Sequence, residues 1–142
     1  MPTSASAGPE LLIDTSVAVA LSVVGHDAME AAERVVADRR LGLAGHAAFE
    51  TLSVLTRLPP PARRTTATVA RLLAASFPFT RFLSSAQAEE LFIRLPGLGI
   101  SGGAVYDALV GAAAVEHGVP LLTRDQRALR TYRALDVEVV LI

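Results

Sequence analysis

The chain has 142 residues and a formal net charge of −1, and its composition is 51% hydrophobic and 19% charged. These values exclude a disordered chain and are typical of one domain that buries its own core. Cysteine is absent, which excludes disulfides, zinc–thiolate sites and iron–sulfur clusters. All 13 basic residues are arginine, which excludes chemistry that requires a lysine.

The chain begins with small, mostly polar residues, and we expect residues 1–9 to form a flexible tail of a single domain spanning 1–142. This segment has neither a positive charge nor an apolar run, so it resembles neither a signal peptide nor an anchor. The longest apolar stretch, around 108–115, is far shorter than the roughly 20 residues that a membrane-spanning helix needs. We therefore expect a soluble, cytoplasmic protein without membrane contact.

The first half of the chain alternates short apolar runs with helical patterns. A buried strand ends abruptly at Asp14, whose side chain, with those of Thr15 and Ser16, can cap the helix that follows. The predicted elements are a strand over 11–13, a helix over 17–24, an amphipathic helix over 28–37, a strand over 41–44, and a helix over 47–58 stopped by three prolines.

The second half continues the alternation. Thr65 or Thr66 can cap one helix and Ser84 or Ser85 the next, which we expect to end at Pro96 and Gly97. The predicted elements are a helix ending near 75, a weaker strand over 79–83, a helix to 95, a glycine-rich loop over 97–103, a helix over 104–116 closed by Gly118, a strand over 119–123, a short helix over 125–133, and a final strand over 137–142. Strands alternating with helices predict a mostly parallel sheet in a three-layer α/β/α sandwich.

Four acidic residues fall where such a fold gathers ligands. Asp14 and Asp125 follow predicted strands, while Glu50 and Asp107 lie in the first turns of predicted helices. Since ligands bind at the carboxyl ends of parallel strands, we expect the four side chains to converge at one edge of the sheet.

Each acid also has a simpler interpretation by itself. Asp14 and Asp125 can serve as helix caps, and Glu50 and Asp107 can favour the positive ends of their helices. Together, however, each close pair of carboxylates would cost about 4 kcal/mol at an effective dielectric constant near 20. With no lysine to offset that repulsion, a hard divalent cation such as Mg²⁺ is the better explanation.

Such a metal site suggests hydrolysis of phosphodiester bonds. Asp14 and Asp107 are the predicted direct ligands, and Glu50 and Asp125 bind directly or through water. The hydroxyls of Ser16 and Thr123 lie at the same edge and can bond ligands or phosphate. Arg124 and Arg127 flank Asp125 and can grip an RNA backbone, although they can equally be ordinary solvated surface residues.

The acidic segments resemble the motifs of PIN domains. The similar stretches are Leu12-Ile13-Asp14-Thr15-Ser16, Glu50 in its helix, Gly103-Ala104-Val105-Tyr106-Asp107-Ala108-Leu109, and Leu121-Leu122-Thr123-Arg124-Asp125. The C-terminal stretch from Arg127 through Tyr132 to Val139 is similar to VapC-type toxins of VapBC toxin–antitoxin systems. The resemblance covers nearly the whole chain, and its specificity lies in the order and spacing of the motifs.

The resemblance implies a Mg²⁺- or Mn²⁺-dependent endoribonuclease that cuts structured RNA, such as tRNA or ribosomal RNA, at few positions. It also implies a five-stranded sheet in the order 3-2-1-4-5, with the predicted strands numbered along the chain. The expected partners are a second copy of the chain and a VapB-type antitoxin. The segments 28–37 and 52–58 offer apolar surface for that antitoxin, unless they only pack in the core.

Other phosphate-handling folds fit the sequence less well. Phosphoacceptor receiver domains and haloacid-dehalogenase-type phosphohydrolases need a lysine, and the glycine–lysine loop of P-loop nucleotide binders is absent. The three histidines show no spacing suited to a metal or a catalytic triad. A PIN-like module that binds RNA or protein without cutting it remains the alternative.

Overall fold

The computed structural model describes residues 8–142, so residues 1–7 of the predicted tail lie outside the described part. The carbonyl groups of Gly8 and Pro9 accept hydrogen bonds from Arg40. Four strands occur in the described part: β1 (Glu10–Ile13), β2 (Arg40–Leu43), β3 (Leu121–Thr123) and β4 (Val139–Leu141). Seven α-helices accompany them there: α1 (Thr15–Ser22), α2 (Met29–Val36), α3 (Ala47–Thr56), α4 (Thr66–Ser76), α5 (Ser85–Leu98), α6 (Ala104–His117) and α7 (Leu129–Ala134).

The strands form one parallel sheet in the order β2-β1-β3-β4. The central strand β1 alternates its side chains between two cores: Leu11 and Ile13 pack with residues of α1 to α4, and Leu12 packs with residues of α5 to α7. Such alternation is the consequence of the two-residue period of a strand. The predicted α/β/α sandwich with a parallel sheet is therefore confirmed.

The prediction of five strands is wrong, because the segment over 79–83 does not form one. It does run beside β2, with the amides of Phe79 and Arg81 donating to the carbonyls of Leu41 and Leu43 at 3.0 and 3.1 Å. However, the amide of Leu43 donates to the side-chain oxygen of Thr80 at 3.0 Å, where a ladder would use a backbone carbonyl. The segment therefore makes only isolated bridges, at Pro78 and Arg81. The other four strands keep the predicted order.

Two predicted helix boundaries also need correction. Helix α5 continues through Pro96 and Gly97 to Leu98, and it ends where Gly99 adopts the left-handed conformation with φ 67°. Proline removes only one amide donor, and the carbonyl left without it belongs to Phe92, on an exposed turn where water can replace the lost bond. The single helix predicted over 125–133 is a 3-10 turn (Gln126–Ala128) followed by α7.

No helix in the part of the chain that the structure describes is both long enough and apolar enough to cross a membrane.

Candidate metal centre

Parallel pairing of β1 with β3 brings two of the predicted acids to one edge of the sheet. Ile13 is in register with Leu122, and the amide of Asp14 donates to the carbonyl of Leu122 at 3.2 Å. Beyond the end of β3, the amide of Asp125 donates to the side-chain oxygen of Thr123 at 3.0 Å. Asp14 and Asp125 are thus held on either side of Thr123, although they are far apart in the chain.

The other two acids reach the same place from helices. Glu50 lies in the first turn of α3 and Asp107 in the first turn of α6. All four carboxylates line one cavity of about 240 Å³, which we call the acidic cavity. Its remaining lining residues are Thr15, Ser16, Val110 and Tyr132. The structure therefore brings together the four acids that the sequence singled out.

Asp14 is the most constrained of the four, with only 5% of its surface exposed. Its Oδ1 accepts from the hydroxyl of Ser16 at 2.5 Å and from the amide of Val17 at 3.3 Å, so it also caps α1. Its Oδ2 accepts from the hydroxyls of Thr123 at 2.5 Å and Tyr132 at 3.0 Å. Burial raises the pKa of Asp14, and the four hydrogen bonds oppose that rise by favouring the charged form.

The predicted supporting residues differ in what they contact. Ser16 and Thr123 both donate to Asp14, and Ser16 Oγ also accepts from the amide of Arg124 at 2.9 Å. The amide of Arg127 donates to Asp125 Oδ1 at 2.9 Å, while its guanidinium Nε lies 3.5 Å from the same oxygen and is almost fully exposed. The two hydroxyls therefore orient an acid, and the Arg127 side chain extends into solvent beside one.

The carboxylates repel one another, as their number and proximity require. The pKa of Asp107 is raised to about 6 by burial first, and then by the charges of Asp125, Glu50 and Asp14. The pKa of Glu50 is raised by burial and by Asp14, while His46 opposes the rise. Neither Glu50 nor Asp107 accepts a side-chain hydrogen bond from another residue in 8–142. Within the described residues, no side-chain donor therefore competes for the oxygens of these two carboxylates.

The donor set suits a hard divalent ion. It consists of carboxylate and hydroxyl oxygens, including the buried Thr15 Oγ1, which has no hydrogen-bond partner among residues 8–142. Over that same range, no three acidic or histidine side chains lie close enough to form a complete ligand set by themselves. Mg²⁺ commonly takes only one or two carboxylates and keeps several waters, so this looser arrangement fits it.

Sequence reasoning missed Tyr132 as a residue of the site, and it treated Thr15, which also lines the cavity, only as a possible helix cap. Tyr132 lies in α7, is 1% exposed, and donates its hydroxyl to Asp14 across 118 positions of the chain. Burial and the charge of Asp14 raise its pKa, so the hydroxyl keeps its proton near neutral pH. The one available signal was that Tyr132 lies in the helix that follows the fourth acidic motif. That position alone does not reveal the direction of its side chain.

Sequence comparison gives a family and close relatives. A family model described as the PIN domain matches residues 11–134. The chain is 48% identical over 132 residues to ribonuclease VapC27 of Mycobacterium tuberculosis (strain ATCC 25618 / H37Rv), covering 93% of this chain and 96% of the relative. It is 45% identical over 131 residues to ribonuclease VapC40 of M. tuberculosis (strain CDC 1551 / Oshkosh), covering 91% and 96%.

Solved structures share the fold at much lower identity. VapC20 of M. tuberculosis, described as a sarcin-ricin loop cleaving toxin, superposes with a TM-score of 0.69 at 20% identity, over 92% of this chain and 98% of that one. VapBC2 of Rickettsia felis, bound to a DNA fragment from its promoter, gives a TM-score of 0.64 at 13% identity, over 93% and 98%.

Proposed function

Because this chain belongs to the PIN-domain family, and within it to the VapC ribonucleases, we propose that it is a metal-dependent endoribonuclease toxin of a type II toxin–antitoxin system. Its substrate is structured RNA, such as tRNA or ribosomal RNA, in which it hydrolyses a phosphodiester bond. The observation that carries the proposal is the acidic cavity, which is lined by four carboxylates from four separate parts of the chain. Two close relatives named as ribonucleases support it.

We assign Asp14 and Asp107 as direct ligands of Mg²⁺ or Mn²⁺, with Glu50 and Asp125 binding directly or through water. When bound, the ion makes water a stronger nucleophile near neutral pH and neutralises charge on the phosphate. Ser16, Thr123 and Tyr132 hold Asp14 in a fixed orientation towards the cavity.

Substrate contacts come from the rim of the cavity. Arg127 extends its guanidinium into solvent beside Asp125, where it can bind an RNA phosphate, and the backbone amide of Arg124 donates to Ser16, which lines the cavity. The acids themselves repel a phosphodiester, so contact with RNA at the cavity depends on the cation and on these arginines. The formal net charge of −1 provides no large basic field to assist them.

The proposed partners are a second copy of the chain and a VapB-type antitoxin. Solved structures that share the fold include the VapBC2 pair of R. felis, which is bound to a DNA fragment from its promoter. Of the two segments predicted to face the antitoxin, 28–37 and 52–58, the structure buries Ala32 and Leu55 in the core. Leu52 and Leu58 are only partly buried and line two apolar hollows beside α4. Those hollows are the surface that we assign to the antitoxin.

The decisive assay incubates purified chain, free of any antitoxin, with total RNA and Mg²⁺ or Mn²⁺. We expect discrete fragments that disappear with EDTA and in the variants Asp14→Asn and Asp107→Asn. Glu89→Gln removes an exposed acid of α5 that does not line the cavity. It is the matched control and should cut RNA normally. Intact RNA that is bound but never cut, with any divalent metal, would instead identify a binding module.

A further inference from the structure

A second hollow opens beside the acidic cavity and shares Glu50 with it. This hollow, which we call the α3 groove, measures about 310 Å³ and follows one face of α3. Its lining residues are His46, Phe49, Glu50, Ser53, Val54 and Arg57. Because Glu50 lines both hollows, a chain molecule whose reacting group lies in the acidic cavity has the α3 groove as its neighbouring surface.

Aromatic rings lie at and beside the end of the groove that contains His46. The rings of His46 and Tyr106 are stacked, with centroids 5.1 Å apart and planes 17° from parallel. Tyr106 is 52% exposed and immediately precedes Asp107, and Phe49 is 62% exposed with its ring 6.2 Å from that of His46. Flat rings left open to solvent beside a phosphate-directed site match the way proteins stack unpaired nucleobases.

The far end of the groove carries a positive charge. Arg57 lies about two helical turns beyond Glu50, which is about 10 Å along the axis. Its Nε donates to the carbonyl of Ser53 at 3.2 Å, and both residues line the groove. Among residues 8–142 no carboxylate pairs with this guanidinium, so its charge is available to a phosphate.

We propose that the α3 groove is a subsite for an unpaired nucleotide next to the scissile phosphate. The base stacks on the His46–Tyr106 pair, and Arg57 binds a phosphate further along the same strand. The inference rests on the proposed ribonuclease function and adds a substrate feature to it. In an A-form helix both faces of a base are covered by its neighbours, so the groove selects a loop, bulge or end over a continuous helix.

The stacking part is tested by binding short single-stranded oligoribonucleotides that carry one 2-aminopurine, a base whose fluorescence is quenched by stacking. All variants are made in the Asp107→Asn background, which prevents cleavage. We expect Tyr106→Leu to weaken binding about tenfold and to abolish the quenching. Tyr106→Phe should retain both, because it keeps the ring. Phe92→Leu, which removes another exposed aromatic ring on α5, is the matched control and should bind normally.

The charge part is tested by the salt dependence of the same binding. Arg57→Gln should lower the slope of log affinity against log salt concentration by about 0.7, which corresponds to one phosphate contact of a single strand. Arg57→Lys should keep the wild-type slope, because it retains the positive charge. A merely structural role for Arg57 would change stability and leave this slope unaltered.

Two outcomes would overturn the subsite. One is unchanged quenching and affinity in Tyr106→Leu. The other is a Tyr106→Leu variant that no longer has the mass of a dimer in light scattering but binds the oligonucleotide as before. That result would assign the rings to an interface between two copies. Cleavage by the wild-type chain is scored separately, so either result can refute the groove while the ribonuclease function stands. If no cleavage occurs, the binding measurements still decide the groove by themselves.

Discussion

The two carboxylate oxygens of Asp14 serve different purposes. Oδ1 caps α1 by accepting from the amide of Val17 and also accepts from the hydroxyl of Ser16, while Oδ2 accepts from Thr123 and Tyr132. The capping interpretation of Asp14 is therefore confirmed, while its role as a metal ligand stays a prediction. Because each oxygen is held by two donors, the carboxylate cannot rotate, and its position at the cavity is fixed before any ion arrives.

Removing the hydroxyl of Tyr132 should destabilise the protein. Tyr132→Phe deletes a buried hydrogen bond to a carboxylate, and such bonds contribute about 2 kcal/mol. Urea denaturation of the two proteins measures the difference. Tyr106→Phe is the matched control, since it removes the exposed hydroxyl of the chain's other tyrosine and should change stability by less than about 0.5 kcal/mol. Equal stability of Tyr132→Phe and wild type would show that this hydrogen bond does not hold Asp14.

Asp107 should make the metal-free protein less stable as pH rises. Its pKa increases from the ordinary 3.8 to about 6 on folding, so the folded state binds the proton more tightly than the unfolded state. Stability therefore falls as pH rises from 3.8 to about 6 and stays lower above that window. Asp107→Asn removes this penalty, and at neutral pH in EDTA we expect a gain of about 1 kcal/mol after allowance for solvent screening.

Thermal melts in EDTA at several pH values measure that gain, which should shrink as the pH approaches the ordinary pKa of aspartate. Glu89→Gln controls for the loss of one negative charge at an exposed position. A large fall in melting temperature for Asp107→Asn at neutral pH would mark Asp107 as a structural cap of α6 instead.

At the scale of elements, replacing either of two glycines near helix ends by alanine should have opposite effects on stability. Gly118 ends α6 in the left-handed conformation with φ 64°, where a Cβ is strained, whereas Gly97 lies inside α5 with open space around its Cα. We expect Gly118→Ala to destabilise the protein by about 1 kcal/mol and Gly97→Ala to stabilise it by about 0.5 kcal/mol. Urea denaturation measures both variants. The same sign for both would contradict the assigned conformations.

The sequence predicted well those helices whose ends depend on residues within or next to the helix itself. Thr65 and Ser84 cap α4 and α5 as expected, and Gly118 closes α6, because capping depends on neighbouring residues. The fifth strand failed because of a contact between its segment and β2. The hydroxyl of Thr80 accepts the hydrogen bond from the amide of Leu43 in β2, so that amide is not paired with a backbone carbonyl of the segment. No periodicity in residues 79–83 reports that contact.

The acids of the site were predictable and their partners were less so. Asp14 and Asp125 follow strands whose carboxyl ends meet at one edge, so topology alone predicts their convergence. The hydrogen bond from Tyr132 and the stacking of His46 on Tyr106 depend on side-chain directions set by tertiary packing. The sequence therefore predicts which elements meet, and the structure is needed to identify which side chains touch.

At the scale of the whole molecule, the acidic cavity exists only in the folded chain. Its four carboxylates come from the residue between β1 and α1, from α3, from α6 and from the turn after β3, and folding brings them together against their mutual repulsion. An ion that binds this cavity therefore stabilises the fold. We expect saturating Mn²⁺ to raise the melting temperature of the wild-type chain more than that of Asp107→Asn. An equal shift in both proteins would place the ion elsewhere.

The most direct test of the shared cation site is a calorimetric titration of the metal-free chain with Mn²⁺. Near neutral pH we predict saturable uptake, weakened at least about tenfold in Asp107→Asn and unaffected in Glu89→Gln. Uptake should also weaken as the pH falls below about 6, because Asp107 then holds a proton. Absence of any Mn²⁺ or Mg²⁺ binding near neutral pH, or equal binding by Asp107→Asn, would contradict the account.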